Sequence, residues 1–279
     1  MIPAEAVIAR VRRDLTISAI VKAALLVAAF LVLVWRGFGT SGAGDVLLLL
    51  LIGGAWLALS YRSVQGSRLA ADSQWLIATG EYDAAEQQIE RSLKTFSLFR
   101  NAKLLGMHRL AMLRHAQRRW PDAVALSRAL LAQRLGPLKG LNKPSRLILA
   151  EALLEMDDPR GARDALAGLF DQRLSLSEAM TMLAVQVDYQ ARTGAWDQMM
   201  DRIATKVQLA ELMPTTSAAR TQAMLALAAK KSGREDWAIW LRRRVELLCD
   251  VQQLCARRSI LWELWAIDPV PSPGTPGEG

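Results

Sequence analysis

Residues 80–93 read GEYDAAEQQIERSL: a glycine, an aromatic two places on at Tyr82, and a small residue three further at Ala85. A glycine before an amphipathic stretch marks a reversal between two helices, because it reaches backbone angles that other residues avoid. The small residue one turn later marks a point where another helix comes close.

The pattern recurs. RRWPDAVAL places Ala123 as anchor with Trp120 three before it, and DDPRGARDAL places Ala162 with Asp157 at the turn. TGAWDQMM gives Met199 behind Gly194 and Trp196, and SGREDWAIW gives Ala238 behind Gly233. The anchors are 38, 39, 37 and 39 residues apart. Twelve residues before them stand Ser73, Ala111, Ala150, Val187 and Ala226, all small or compact. Four residues after come Ile89, Ser127, Leu166, Ile203 and Arg242, apolar in three cases. Self-similarity at a fixed period of this length is the mark of a solenoid built from helix-turn-helix units.

On these residues the chain resembles the tetratricopeptide repeat family, whose pattern has a small residue on the first helix, Gly at the turn, an aromatic shortly after, and Ala on the second helix. Gly80, Tyr82 and Ala85 match well, and Gly194 and Trp196 match with Met199 in place of Ala. The second unit departs at Arg118, which replaces the turn Gly, and the third at Pro159, which replaces the aromatic. The family period is shorter, and LGPLKGLNKPS at 135–145 is one visible insertion. The resemblance covers about residues 66–250. It implies a concave groove, lined by first helices, that holds a peptide or helix of a partner. In that register the groove residues are Gln74, His108, Met112, His115, Glu151, Asp188, Arg192 and Lys230. The clamp with which chaperone-binding members seize a terminal carboxylate is missing: its positions hold Ala70, Gln74, Arg109, Pro144 and Ile148.

Before the repeats lie two apolar runs. Leu15 to Trp35 carries one charge, Lys22, and is long enough to span a bilayer core of about 30 Å. Val46 to Tyr61 is shorter, at 16 residues. Trp35 and Tyr61 close the runs as interfacial aromatics do, and Lys22 lies where its stem can snorkel back to the interface. A cleaved signal peptide is the rival reading, with Ser41-Gly42-Ala43 as its site, but the first run is too long for one and a second run follows at once. Arg10, Arg12 and Arg13 precede the first run, Arg62 and Arg68 follow the second, and the loop between holds only Arg36. That bias puts both ends in the cytoplasm.

The rest of the sequence narrows the function. Ala, Leu, Arg, Glu and Gln dominate, which favours helix throughout. The net charge of +8 comes from 35 basic and 27 acidic residues that are interleaved, unlike the dense basic stripe of a nucleic-acid binder. Cys249 and Cys255 are about 9 Å apart along a helix, too far for an unstrained disulfide. His108 and His115, seven apart, are too far apart to hold one metal alone. Asp157-Asp158 and Glu235-Asp236 fall at helix starts, where acids cap and complement the dipole. Trp237, Trp240, Trp262 and Trp265 cluster near the C-terminal end, as core or as a docking patch.

The expectation is therefore an all-α protein. It has an N-terminal segment at 1–14, a transmembrane helical hairpin at 15–61 and a solenoid of about five repeats at 66–250. A capping helix at 251–268, with Val251, Leu254, Cys255, Leu261 and Trp265 on one stripe, and a disordered tail at 269–279 complete it. The expected function is a non-enzymatic adaptor or scaffold in the inner cell membrane, recruiting a protein partner through the groove, without cofactor, metal or nucleic acid. The alternative is an accessory subunit of a membrane complex that makes its contact through the hairpin.

Overall fold

The computed structural model describes residues 3–37 and 43–265. The expected tail at 269–279 lies outside the described residues. Fourteen α-helices and two short 3-10 turns make up the fold, with no strand among the described residues. The chain forms two compact units, residues 1–157 and 158–279.

Left-handed turns organise both units. Gly80, Arg118, Asp157, Gly194 and Gly233 have φ of +83°, +58°, +58°, +67° and +70°. They are the five turn positions read from the repeat. At each, the turn residue's N–H donates to the carbonyl three residues back, from Gly80 to Ile77 through Gly233 to Lys230. At four of them the next N–H also reaches five residues back, as from Glu81 to Leu76 and from Arg234 to Ala229. Those paired bonds close a helix end by satisfying its orphan carbonyls. A new helix begins two residues after every turn, at Tyr82, Trp120, Pro159, Trp196 and Glu235. Each anchor's N–H then donates to the residue four before it, and all five anchors are buried.

A left-handed conformation costs a residue with a Cβ about 1–2 kcal/mol. Exposed Arg118 bears that cost with no Gly to relieve it. Arg118→Gly is expected to stabilise the first unit by about 0.5–1 kcal/mol once the extra freedom of an unfolded glycine is subtracted. Hydrogen exchange of the Trp120–Leu131 amides measures it, and unchanged or faster exchange contradicts it.

The first unit contains α1 (Ala4–Gly37), α2 (Ala43–Thr79), α3 (Tyr82–Lys94), α4 (Arg100–Ala116), α5 (Trp120–Leu131) and α6 (Asn142–Glu155). The expected N-terminal segment is the start of α1, and it is part of the core. Ala4, Val7, Val11 and Ser18 are buried on one stripe, and α1 packs on α2, α4 and α5. Lys103 of α4, 1% exposed, reaches across to Asp14 at 2.7 Å and also donates to the Leu93 carbonyl. The second apolar run likewise continues without a break into the domain. On α2 the small residues Ser63, Gly66, Ala70 and Ser73 are buried, which lets α3 and α4 approach. Ser92 Oγ donates to the Gly66 carbonyl at 2.7 Å, and the Leu98 N–H donates to Ser63 Oγ at 2.8 Å.

Beyond these docked ends, from 19 to 34 and from 47 to 62, the two helices are bare. Ile20, Phe30, Leu50 and Leu57 are 63–70% exposed. The lengths described without a buried residue, 19–34 after Ser18 and 47–62 before Ser63, rise about 24 Å each, most of the thickness of a bilayer core. Both helices are long and apolar enough to cross a membrane. Lys22 folds back so that its Nζ lies 5.9 Å from the Phe99 ring centre, a cation over an aromatic face.

Ile89, Leu93, Leu104, Leu110, Leu113, Leu126 and Leu130 fill the core of this unit. Within it, Arg114, fully buried, holds Glu86 through two nitrogens at 3.1 and 2.8 Å, and donates to Gln117 at 2.7 Å.

The second unit contains α7 (Pro159–Ala167), α8 (Leu176–Arg192), α9 (Trp196–Met200), α10 (Ile203–Glu211), α11 (Thr215–Lys231), α12 (Glu235–Leu248), α13 (Val251–Arg257) and α14 (Trp262–Trp265). Ser175 and Glu178 cap α8 reciprocally, and Asp158 caps α7 by accepting from the Gly161 N–H at 2.8 Å. Every residue of α11 from Thr221 to Ala229 is buried. Such a helix is surrounded on all sides, here by α8, α9, α10, α12 and α14.

Two expectations are corrected here. The helix after Gly194 is not continuous: Arg202 is left-handed at φ +50° and splits it into α9 and α10. Residues 251–265 are not one helix but α13, a 3-10 turn at Ser259–Leu261 and α14, broken where Arg258 adopts φ −141°. The apolar pattern still serves its purpose, because Cys255, Leu261 and Leu264 are buried against the core that contains α11.

Candidate partner-binding faces

The helices that precede the left-handed turns pack side by side within each unit. In the first, α2 lies against α4 and α4 against α6; in the second, α8 lies against α11. The residues expected in a groove lie on these helices, and the structure separates them by burial.

In the first unit Gln74 is exposed on α2, and Met112 and His115 are half-buried on α4. The Met112 sulfur accepts from Arg109 at 3.2 Å. His115 Nε2 lies 3.1 Å from the Glu151 carboxylate on α6, and its ring meets Trp120 edge-on at 5.2 Å. That contact joins two neighbouring helices at the surface. His108, two turns earlier, is buried, with Nδ1 2.9 Å from Ser145 Oγ. Burial, and then the Arg109 charge, push its pKa down to about 4. It is a neutral core imidazole, and the open face does not include it.

In the second unit Asp188 on α8 is 2% exposed and is met by three arginines. Arg220 of α11 is 3.1 Å from its Oδ2, Arg258 is 3.4 Å away, and Arg192 is 3.6 Å away. The cluster borders a cleft of about 260 Å³ whose wall also holds Arg257, Met224 and Ile260. Lys230 is exposed and donates to the Glu263 carbonyl at 2.7 Å. Asp188, Arg192 and Lys230 were legible in the register of the repeat. Arg220, Arg257 and Arg258 were not, and the only signal was the paired Arg257-Arg258 on the final apolar stripe.

Other candidate chemistry is placed plainly. Cys249 and Cys255 are free, and burial raises both thiol pKa values, with Asp250 adding to the first and Cys249 to the second. The thiolate forms are therefore disfavoured. No group of three or more His, Cys, Asp or Glu able to hold a metal occurs among the described residues. Trp237, Trp262 and Trp265 pack partly buried against the second unit's core. Trp240, half-exposed, meets Trp237 edge-on at 5.5 Å and carries the Arg244 guanidinium at 4.7 Å. The most exposed tryptophan described is Trp75 of α2, at 76%, which sequence reasoning passed over.

No protein-family model, curated protein or solved structure matches this chain.

Proposed function

We propose that this chain is a membrane-anchored adaptor of tetratricopeptide-like helical repeats, which recruits a protein partner through the polar faces of its turn-preceding helices. The recurring turn carries this reading: five left-handed residues at the repeat spacing, each followed by a helix whose fourth residue is a buried anchor. Units of that kind stack first helix on first helix, and the resulting faces hold partner peptides or helices. The half-buried His115–Glu151 contact and the Asp188–arginine cluster are the polar groups such a face presents here.

The bare lengths of α1 and α2 act as the anchor, as a transmembrane hairpin in the inner cell membrane. The arginines before α1's bare length and after α2's favour the cytoplasmic side for the repeats. Both helices run on without a break into the first unit.

Cross-linked pull-down from native membranes, read by mass spectrometry, tests the adaptor. Wild type is compared with His115→Ala/Glu151→Ala and with Arg192→Ala/Lys230→Ala. A partner recovered with wild type and lost with either variant is expected. Partners that persist in both variants but vanish when the hairpin is exchanged for an unrelated anchor would make the chain an accessory subunit instead.

A further inference from the structure

Two arginines stand at the foot of α1, just before its apolar run, and no described acid pairs with either. Arg10 and Arg13 line a cleft of about 220 Å³ between α1 and α3, together with Val7, Leu93, Glu90 and Lys94. Glu90 is the one acid in that lining, and it pairs with Lys94 one turn along α3. Asp14, the acid next to Arg13 in the chain, is held by Lys103. Neither Arg10 nor Arg13 makes a salt bridge or a side-chain hydrogen bond with a described residue.

The cleft lies at the level where the apolar lengths begin. The apolar run of α1 starts at Leu15, so along the axis Arg13 comes about 3 Å and Arg10 about 7.5 Å before it. That interval matches the headgroup layer, about 5–8 Å deep on each side of the hydrocarbon core. The chain after α3 marks the same level independently. Leu98 is bonded to Ser63, where the bare length of α2 ends, and Phe99 lies under the Lys22 ammonium. Lys94 stands four residues before Leu98.

One stripe of α1 carries both kinds of surface. From Arg10 and Arg13 the spacing of three and four residues continues through Ile17, Ile20, Ala24, Val27 and Leu31, all exposed. A molecule with an anionic head and aliphatic chains matches that order, whereas a free phosphate uses only its beginning. Guanidinium groups bind phosphate oxygens through charge-assisted hydrogen bonds, and basic pockets beside membrane-spanning helices collect anionic headgroups.

We propose that this cleft binds the headgroup of an anionic phospholipid, with its phosphate at Arg10 and Arg13 and an acyl chain laid along Ile17 and Ile20. The assignment rests on the reading of α1 and α2 as a membrane anchor and gives that anchor a lipid preference.

The test is native mass spectrometry of the full-length protein in neutral detergent, titrated with dioleoyl phosphatidylglycerol. One phosphatidylglycerol should be retained in preference to dioleoyl phosphatidylcholine, whose choline cancels the phosphate charge. Arg10→Gln/Arg13→Gln should weaken phosphatidylglycerol binding about thirtyfold, the effect of two basic side chains at an anionic surface. Arg10→Lys/Arg13→Lys keeps the charges and should retain most of the affinity. Arg62→Gln/Arg68→Gln removes the same charge from exposed positions on α2, at the end of its bare length and outside the cleft, and should leave binding unchanged.

Equal weakening by Arg62→Gln/Arg68→Gln reduces the effect to general surface charge and overturns the site. Indifference to Arg10→Gln/Arg13→Gln, or equal retention of phosphatidylcholine, overturns it too. Displacement of the lipid by glycerol 3-phosphate at equal concentration makes the ligand a soluble phosphate and overturns the lipid assignment. The anchor reading fails on a different measurement, alkaline carbonate extraction of native membranes. A chain released by carbonate that still retains phosphatidylglycerol in detergent ends the anchor and leaves the cleft as a lipid-headgroup site. A chain that resists extraction but shows no lipid preference keeps the anchor and loses the site.

Discussion

Glu86→Leu is expected to destabilise the first unit by about 3–5 kcal/mol. The pair it breaks spans α3 and α4, and the arginine that remains is Arg114, with no side-chain exposure. Removing the carboxylate strands a guanidinium in the core. Arg114 cannot respond by losing its proton, because arginine stays charged in proteins. Gln117 still accepts one of its hydrogen bonds at 2.7 Å, which sets the effect towards the lower end of that range. The backbone of Arg114 also closes α4, since its carbonyl accepts from the Arg119 N–H at 2.8 Å. A displaced Arg114 therefore loosens the turn at Arg118 as well as the core.

Urea titration in detergent, followed by hydrogen exchange of the α3 to α5 amides, measures the loss. The double variant Glu86→Leu/Arg114→Met removes both charges and should recover most of the stability, since an apolar pair of similar volume can replace a buried ion pair. If the double variant is as unstable as the single one, packing around Glu86 is responsible and the electrostatic account fails.

What the sequence made legible follows from what is local. A left-handed turn, the helix start after it and the buried anchor all lie within six residues, so they repeat as text. Arg118 and Asp157 were found by spacing even though neither is a glycine, and both adopt the left-handed conformation. The apolar runs were legible for the same reason, except at their ends. Ser18 and Ser63 mark where the bare lengths stop, and what distinguishes them is burial by other helices.

Contacts between distant residues left no such trace. Asp14 and Lys103 are 89 residues apart, and nothing near Asp14 indicates that α4 supplies its partner. The His108 and His115 pair shows the same limit. Seven residues put them on one side of α4, but only the packing of α6, through Ser145 and Glu151, makes one a core residue and the other a surface one. The break at Arg202 has no Gly or Pro to announce it. The arginines around Asp188 come from three elements that the repeat register treats separately.

The buried state of His108 gives the second large effect, one that depends on pH. Its ordinary pKa of 6.5 falls to about 4 in the fold, first because burial penalises the charged ring and then because Arg109 repels it. Between those values the unfolded chain binds a proton that the folded chain does not. Stability therefore rises with pH across this window. The contribution is fully present above about pH 6.5 and is lost as pH falls through about 4. A shift of this size corresponds to about 3 kcal/mol. His108 is 2% exposed, so solvent screening takes little from that figure.

Carboxylates titrate over part of the same range, and the comparison with His108→Gln separates them. Gln cannot take up a proton, and its side chain can still hydrogen-bond Ser145 Oγ. Unfolding free energies of wild type and variant, measured from pH 7.5 down to pH 4, should diverge progressively. The wild type should lose about 3 kcal/mol more than the variant over that range. Parallel curves would mean that His108 is protonated in the fold with a carboxylate or water beside it. The Ser145 contact would then join a solvated surface to α6 instead of closing the core.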